Sequence, residues 1–155
     1  MAYVEKINIS NFKSHFSFQS EILSSSVVVC GNNGIGKTNL LESLSFFSNS
    51  KGMRGDKLDN FFYHKGDIKT KYLNVESWLK QKDYSTNISY ELICEENSIN
   101  KNFFIDKKKI SNQDICELVN FIWLSPHMDR IMYEGNTIKK NFIDKIISNL
   151  DKDFK

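Results

Sequence analysis

The sequence predicts an α/β fold with an antiparallel β subregion, and two observations support this prediction. An apolar run at residues 26–30 leads into a glycine-rich loop and then into a segment with leucines at helical spacing. Residues 71–110 contain three stretches rich in aromatic and β-branched residues, separated by polar turns, which is typical of antiparallel strands. With 155 residues, 40% of them hydrophobic and 26% charged, the chain has the composition of a globular domain.

The first part of the chain predicts a hairpin, a buried strand and a helix. Apolar residues alternate from Tyr3 to Ile9, and the following NFKSHFSF predicts a second strand after a tight turn. Residues 26–30, SVVVC, lack polar alternation and so predict a strand buried on both faces of a sheet. Apolar residues at helical spacing predict the helix after this strand. We expect them to form its buried face, and they are Leu40, Leu41, Leu44 and Phe47.

The rest of the chain predicts three middle strands, followed by two helices with a further short strand between them. The strands are KYLNVESWL, NISYELICEE and NKNFFIDKKKI, with the tip of the last hairpin at residues 106–108. Residues 113–119 predict a short helix, and NFIWLSP predicts a short strand ended by Pro126. Residues 138–150 keep one apolar face over about three helical turns.

Charge and cysteine content exclude several classes of protein. The net charge of +2 gives no sign of a nucleic-acid partner, and no apolar run reaches the roughly 18 residues that span a bilayer. Cys30, Cys94 and Cys116 form no C-x-x-C pair, which favours reduced, buried thiols. Since the N-terminus also lacks the pattern of a secretory signal, we expect a cytoplasmic protein with no membrane association.

Residues 31–38, GNNGIGKT, match the pattern G-x-x-x-x-G-K-[ST] between the predicted strand and helix. Glycines let the main chain wrap a phosphate with its N–H groups pointing inward, and the helix N-terminus adds partial positive charge. Lys37 is placed to contact the β- and γ-phosphates, and the Thr38 hydroxyl is placed to bind Mg²⁺. The sequence therefore predicts a P-loop that binds ATP with Mg²⁺. The predicted nucleotide-binding residues are Gly31, Asn32, Asn33, Gly34, Ile35, Gly36, Lys37, Thr38 and Asn39.

Hydrolysis needs groups that a P-loop does not contain, namely a second Mg²⁺ ligand and a residue that positions the attacking water. An apolar strand ending in Asp or Asp-Glu would supply them, but the nearest apolar run after the P-loop, FIWLSP, ends in Ser125 and Pro126. No catalytic residue is therefore identified in this chain, and whether it is an enzyme stays open.

Two blocks of sequence resemble the RecF family, within the ABC-type ATPase heads of the SMC and Rad50 kind. The first is NFKSH followed by VVVCGNNGIGKTNLLESL, and the second is FIWLSPHMDRIMYEGNTIKKNFIDKII. The resemblance implies that residues 1–155 are a single P-loop ATPase domain corresponding to the N-terminal part of an ABC/SMC-type head. It also implies that His127 occupies the Q-loop position, where many relatives have Gln.

The RecF resemblance implies a protein of DNA replication and recombinational repair that binds ATP and DNA and helps to load recombinase at single-strand gaps. Its implied partners are single-stranded or gapped duplex DNA, recombination mediator proteins and, for a full-length chain, a second copy in an ATP-dependent homodimer. The family's signature motif, Walker B motif and catalytic Glu lie in a C-terminal half that we do not find here. Two alternatives stay open: a truncated, non-catalytic nucleotide-binding remnant, and a fragment of another SMC/Rad50-type ATPase.

Basic residues after the predicted helix form a second candidate site. Arg54 and Lys57 lie in KGMRGDKLDNF, where RecF proteins also carry an Arg-containing loop, and they are the candidate DNA contacts. The simpler interpretation is a solvated lysine-rich surface, with the neighbouring Phe61, Phe62 and Tyr63 in the core.

Overall fold

A computed structural model describes residues 2–47, 52–96, 98–119, 121–123, 133 and 135–150. The chain divides into two compact units, Met1–Val119 and Asn120–Lys155. The predicted organisation as one domain stays a prediction. No helix within the described ranges is long and apolar enough to cross a membrane.

The first unit is built on a six-stranded antiparallel sheet with the strand order β2-β1-β5-β6-β7-β8. A small hairpin, β3 and β4, forms a separate two-stranded sheet. The strands are β1 (Ala2–Phe12), β2 (His15–Glu21), β3 (His64–Lys65), β4 (Ile68–Lys69), β5 (Tyr72–Gln81), β6 (Tyr84–Cys94), β7 (Ile99–Ile105) and β8 (Lys108–Ile110). The helices are α1 (Lys37–Ser45), α2 (Asn112–Leu118) and, in the second unit, α3 (Asn136–Leu150), with a 3-10 turn at Leu58–Phe61.

The predicted opening hairpin and the three predicted middle strands are confirmed. β5 buries Leu73, Val75 and Ser77, because successive side chains of a strand point to opposite faces of the sheet. The β7–β8 turn consists of Asp106 and Lys107, both with positive φ, so two non-glycine residues make a turn that usually uses glycine. The second predicted helix is confirmed as α2. In the stretch predicted as the last strand, residues 121–123 are not in a strand, and residues 120 and 124–126 lie outside the described residues.

An aromatic cluster joins α1 to the sheet. The rings of Phe46 and Phe61 lie 4.6 Å apart, and those of Phe47 and Tyr90 lie 5.0 Å apart. The Tyr90 hydroxyl, on β6, donates a hydrogen bond of 2.9 Å to the carbonyl oxygen of Ser43 in α1. Burial, with a smaller contribution from the charge of Glu42, raises the pKa of Tyr90 well above its usual value. These contacts fix the height of the helix above the sheet.

The prediction of a buried strand at residues 26–30 is wrong. The segment is irregular, Val27 and Val28 are 56% and 85% exposed, and Cys30 is exposed rather than buried. A strand buried on both faces needs neighbouring strands and a covering layer on each side. The described strands pair among themselves and none pairs with this segment.

The predicted buried face of α1 is also largely wrong. Glu42 and Ser43 are fully buried, whereas Leu41 is 51% exposed. These polar side chains are tolerated in the interior because each has a partner: Lys13 Nζ donates to Glu42, and the Ser43 hydroxyl donates to the Leu40 carbonyl oxygen. Phe47 alone of the predicted stripe is fully buried, as expected.

The leucines of α1 line an apolar cleft instead of a core. Its volume is about 480 Å³, and its walls include Leu40, Leu41 and Leu44 of the helix, Val27 of the irregular segment and Ile7 of β1. Residues 27–30, predicted as a buried strand, and the leucines predicted as the buried face of α1 therefore line the same cleft.

Candidate nucleotide-binding site

The glycine-rich loop connects the irregular segment to α1, and its conformation requires glycine. Gly34 has φ of 84° and Gly36 has φ of 104°, values that residues with a Cβ rarely adopt. A Cβ on Gly36 would lie 2.4 Å from Ser14 Oγ and 2.7 Å from His15 Nε2, so close packing also excludes a side chain there. Glycine at position 36 is required by both its backbone conformation and its neighbours.

Lys37 folds its side chain back into this loop. Its Nζ donates hydrogen bonds of 2.7 and 2.8 Å to the carbonyl oxygens of Gly31 and Asn32. The ammonium group therefore lies inside the ring of residues that the sequence predicts to surround the phosphates. Thr38, the predicted Mg²⁺ contact, follows on the first turn of α1 and is exposed.

The N-termini of α1 and α2 differ in how their first-turn N–H groups are used. α2 has a capping box, in which Ser111 Oγ accepts from the Asp114 N–H and the Asp114 carboxylate accepts from the Ser111 N–H. These bonds to Ser111 hold the pKa of Asp114 below its usual value. α1 begins after Gly36, which has no side chain, and no side-chain cap bond is made. Its first-turn N–H groups are therefore available to an anion.

The β1–β2 turn contacts α1 and the loop through three consecutive residues. Lys13 Nζ donates to Glu42 Oε2 at 2.7 Å, Ser14 Oγ accepts from Asn39 Nδ2 at 2.9 Å, and His15 Nε2 lies 3.1 Å from the Gly36 carbonyl oxygen. From the sequence, NFKSH predicts part of the opening hairpin and marks the family resemblance, and neither use predicts these contacts. The spacing between positions 13–15 and 36–42 carries no signal that would have found them.

Glu42 is the centre of a buried charge cluster. Its side chain is fully buried, and it pairs with Lys13 and, at 3.7 Å, with Arg54. Lys13 also pairs with Asp56 at 2.6 Å. A buried carboxylate is tolerated only when it is paired, so Glu42 ties the turn and the segment containing Arg54 and Asp56 to α1.

The candidate DNA contacts occupy two different environments. Arg54 lies against α1, where its Nη1 donates to Asn39 Oδ1 at 3.5 Å and where it pairs with Glu42. Asn39, one of the predicted nucleotide-binding residues, therefore connects Ser14 to Arg54. Lys57 is exposed just before the 3-10 turn. The core interpretation is confirmed for Phe61 and Phe62, which are fully buried, but not for Tyr63, which is only partly buried. A DNA role for Arg54 and Lys57 stays a prediction.

Two further predictions concern metal binding and the Q-loop. Within the described ranges, no group of three or more His, Cys, Asp or Glu side chains is arranged to hold a metal ion. Thr38 stays the predicted protein contact to Mg²⁺, an ion that also binds phosphate oxygens and water. His127 lies outside the described residues.

Comparison with known proteins relates this arrangement to one family. The profile of the RecF/RecN/SMC N-terminal domain matches residues 3–128. "DNA replication and repair protein RecF" from Rickettsia typhi is 28% identical over 153 residues, and the Rickettsia prowazekii protein of the same name is 28% identical over 156 residues. Each match covers 96% of this chain and 40% of the relative, so the chain spans about two fifths of these relatives.

Solved structures agree with this relationship. The recombination mediator protein RecF with ATP, from the RecFOR pathway, matches with a TM-score of 0.75 and 25% identity, over 98% of this chain and 40% of that one. The SMC head domain from Thermotoga maritima shares the fold, with a TM-score of 0.61 and 14% identity over 94% of this chain and 56% of that one. The P-loop ATPase type of fold predicted from the sequence is thereby confirmed, and the chain belongs to the RecF/RecN/SMC N-terminal domain family.

Proposed function

We propose that the chain binds ATP with Mg²⁺ at residues 31–39 and acts, as part of a RecF-like protein, in DNA replication and recombinational repair. The single observation that carries the nucleotide proposal is the uncapped start of α1 beside a glycine loop that already holds the Lys37 ammonium. The similarity to a RecF structure with ATP supports the same ligand.

Each site residue has a separate role in this proposal. The loop amides and the first-turn amides of α1 bind phosphate oxygens, and the helix N-terminus stabilises their negative charge. Lys37 exchanges its two contacts with neutral carbonyl oxygens for contacts with anionic phosphate oxygens, in which donor and acceptor are both charged. Thr38 contributes a hydroxyl oxygen to Mg²⁺, which supplies further positive charge next to the phosphates.

The role in repair extends this proposal to DNA and protein partners. Relatives named for DNA replication and repair, and a structural neighbour from the RecFOR pathway, support gapped or single-stranded DNA and recombination mediator proteins as partners. An ATP-dependent homodimer belongs to the same proposal for a full-length chain, as does a cytoplasmic location. Arg54 and Lys57 are the proposed DNA contacts, and their pairing with phosphates would make binding sensitive to salt.

Titration calorimetry of the 155-residue chain with ATP and Mg²⁺ tests nucleotide binding. We expect saturable binding that Lys37→Ala weakens at least tenfold, since charge-assisted hydrogen bonds contribute roughly 1.5 to 3 kcal/mol. Lys108→Ala, which removes an exposed lysine from β8, is the matched control and should bind as the wild type does. Equal affinities for the Lys37→Ala variant and the wild type would contradict the proposal.

Fluorescence anisotropy with a gapped duplex tests the DNA part separately. We expect the double change of Arg54 and Lys57 to alanine to lower DNA affinity and to reduce its dependence on salt concentration. Lys108→Ala again serves as the control. Unchanged DNA affinity in the double variant would remove these two residues from the proposed interface.

A second candidate function, nucleotide binding without turnover, is favoured by one observation. The nearest apolar run after the P-loop, FIWLSP, ends in Ser125 and Pro126 rather than in the Asp or Asp-Glu that would supply a second Mg²⁺ ligand. Phosphate release with and without DNA separates the two candidates: DNA-stimulated release that Lys37→Ala abolishes would contradict the non-catalytic alternative.

A further inference from the structure

We infer that His15 is a positioning residue for the nucleotide loop, acting through the carbonyl group of Gly36 rather than on the nucleotide itself. This inference rests on the proposed function of the loop. His15 lies on the β1–β2 hairpin, outside the P-loop pattern of residues 31–38.

The contact has a defined direction of hydrogen bonding. His15 Nε2 lies 3.1 Å from the Gly36 carbonyl oxygen, and a carbonyl oxygen only accepts, so Nε2 must carry the proton. The His15 ring also packs on Phe18, with centroids 5.5 Å apart, which limits its rotation. The imidazole is therefore held with a donor directed at the last residue of the loop.

Gly36 is the residue at which the direction of the main chain matters most. As the residue before α1, it accepts the helix bond from the Leu40 N–H at 3.0 Å through the same carbonyl oxygen. The two donors, Leu40 N–H and His15 Nε2, use both lone pairs of that oxygen. A carbonyl oxygen held in this way stays on the side of the β1–β2 turn, while the first-turn N–H groups of α1 have no side-chain cap and stay available to an anion.

Gly36 has no side chain with which to stabilise its own left-handed conformation. In α2 the residue before the helix, Ser111, provides its own cap, whereas at α1 the stabilising group comes from another element. The neighbouring Ser14 contacts the first turn of α1 separately, where its Oγ accepts from Asn39 Nδ2 at 2.9 Å. His15 thus orients the Gly36 carbonyl group from outside the loop. A side chain at position 36 cannot do so, because its Cβ would collide with His15 itself.

Two variants separate hydrogen bonding from ring packing. His15→Phe keeps an aromatic ring against Phe18 but removes the donor, and His15→Gln removes the ring but keeps an N–H donor at similar reach. We expect His15→Phe to weaken binding of ATP with Mg²⁺ roughly fivefold, the worth of one neutral hydrogen bond, and His15→Gln to stay within about twofold of wild type. The thermal midpoint of each variant is measured in parallel to confirm folding.

The remaining outcomes overturn the inference. Wild-type affinity in His15→Phe, or equal losses in both variants, would leave His15 as a packing residue while the proposed function stands. Absence of ATP binding by the wild-type chain would contradict the proposed function instead. In that case long-range ¹H–¹⁵N spectra of His15 still decide the geometry: a protonated Nε2 supports the contact, and a neutral ring with the proton on Nδ1 contradicts it.

Discussion

The antiparallel sheet and the nucleotide-loop region differ in whether other described residues cover their apolar side chains. In the sheet, β5 lies between β1 and β6, and its inward side chains Leu73 and Val75 are fully buried. In the loop region, residues 26–30 and the leucines of α1 have equally apolar sequences but border an open cleft. The comparison shows that an apolar pattern predicts the capacity for burial, whereas the available neighbours determine whether burial occurs.

The largest expected contrast comes from removing apolar side chains in the two regions. Leu92→Ala, at a fully buried position of β6, should lower the free energy of unfolding by about 3 kcal/mol through lost burial and a cavity. Val28→Ala, at a position 85% exposed, should change it by less than about 0.5 kcal/mol. Urea denaturation of both variants measures this difference. A loss of similar size for Val28→Ala would show that residues 26–30 are buried.

The next contrast concerns ion pairs, and it tests how α1 is fixed to the hairpin. Glu42→Gln should cost about 2 kcal/mol, because it leaves buried Lys13 with Asp56 as its remaining partner. Lys69→Ala, which removes a pair with Asp59 in which both side chains are about half exposed, should cost no more than about 0.5 kcal/mol. Equal costs in urea denaturation would contradict the structural role of the buried cluster.

A smaller effect is expected from Lys101, which joins the sheet to the end of α1. Its Nζ donates to the Phe46 carbonyl oxygen at 3.2 Å and lies 3.9 Å from the centre of the Phe46 ring. Burial lowers the pKa of Lys101 to about 8. Between pH 8 and about 9.5 the unfolded chain therefore binds more protons at this residue, and its contribution to the free energy of unfolding should rise by about 1.5 kcal/mol.

The control for Lys101 is Lys101→Met, which keeps an unbranched side chain without a charge. The difference in unfolding free energy between wild type and Lys101→Met should change over this pH interval. Taking the difference removes most of the opposing contribution of Cys116, whose pKa is raised by burial. A constant difference from pH 8 to 9.5 would contradict the lowered pKa. Above pH 10 the raised pKa of Tyr90 should lower stability in both proteins.

Much of the sheet was predictable because its strands lie close together in sequence. β5, β6, β7 and β8 follow one another through short turns, so alternation within each strand was enough to predict them. Residues 26–30 were predicted from the same kind of pattern, but no described strand pairs with them. Local pattern carries no information about whether a pairing partner is present.

The candidate site was predictable in its loop and unpredictable in its surroundings. The glycines and Lys37 follow a fixed local spacing whose physical purpose is evident from the sequence. The contacts of Lys13, His15 and Arg54 with α1 join positions far apart in the chain, and their residue types are equally common on solvated surfaces. Only the packing of the hairpin against the helix reveals them.

Amide hydrogen exchange, followed residue by residue with and without ATP and Mg²⁺, tests the central claim most directly. We predict slow exchange at Val75 and Tyr90 in the sheet, fast exchange at Val27 and Val28, and slowing by the nucleotide that is concentrated in residues 33–39. Slow exchange at Val27 and Val28 in the nucleotide-free chain, or no nucleotide effect at residues 33–39, would contradict the contrast between a completed sheet and an open nucleotide-loop region.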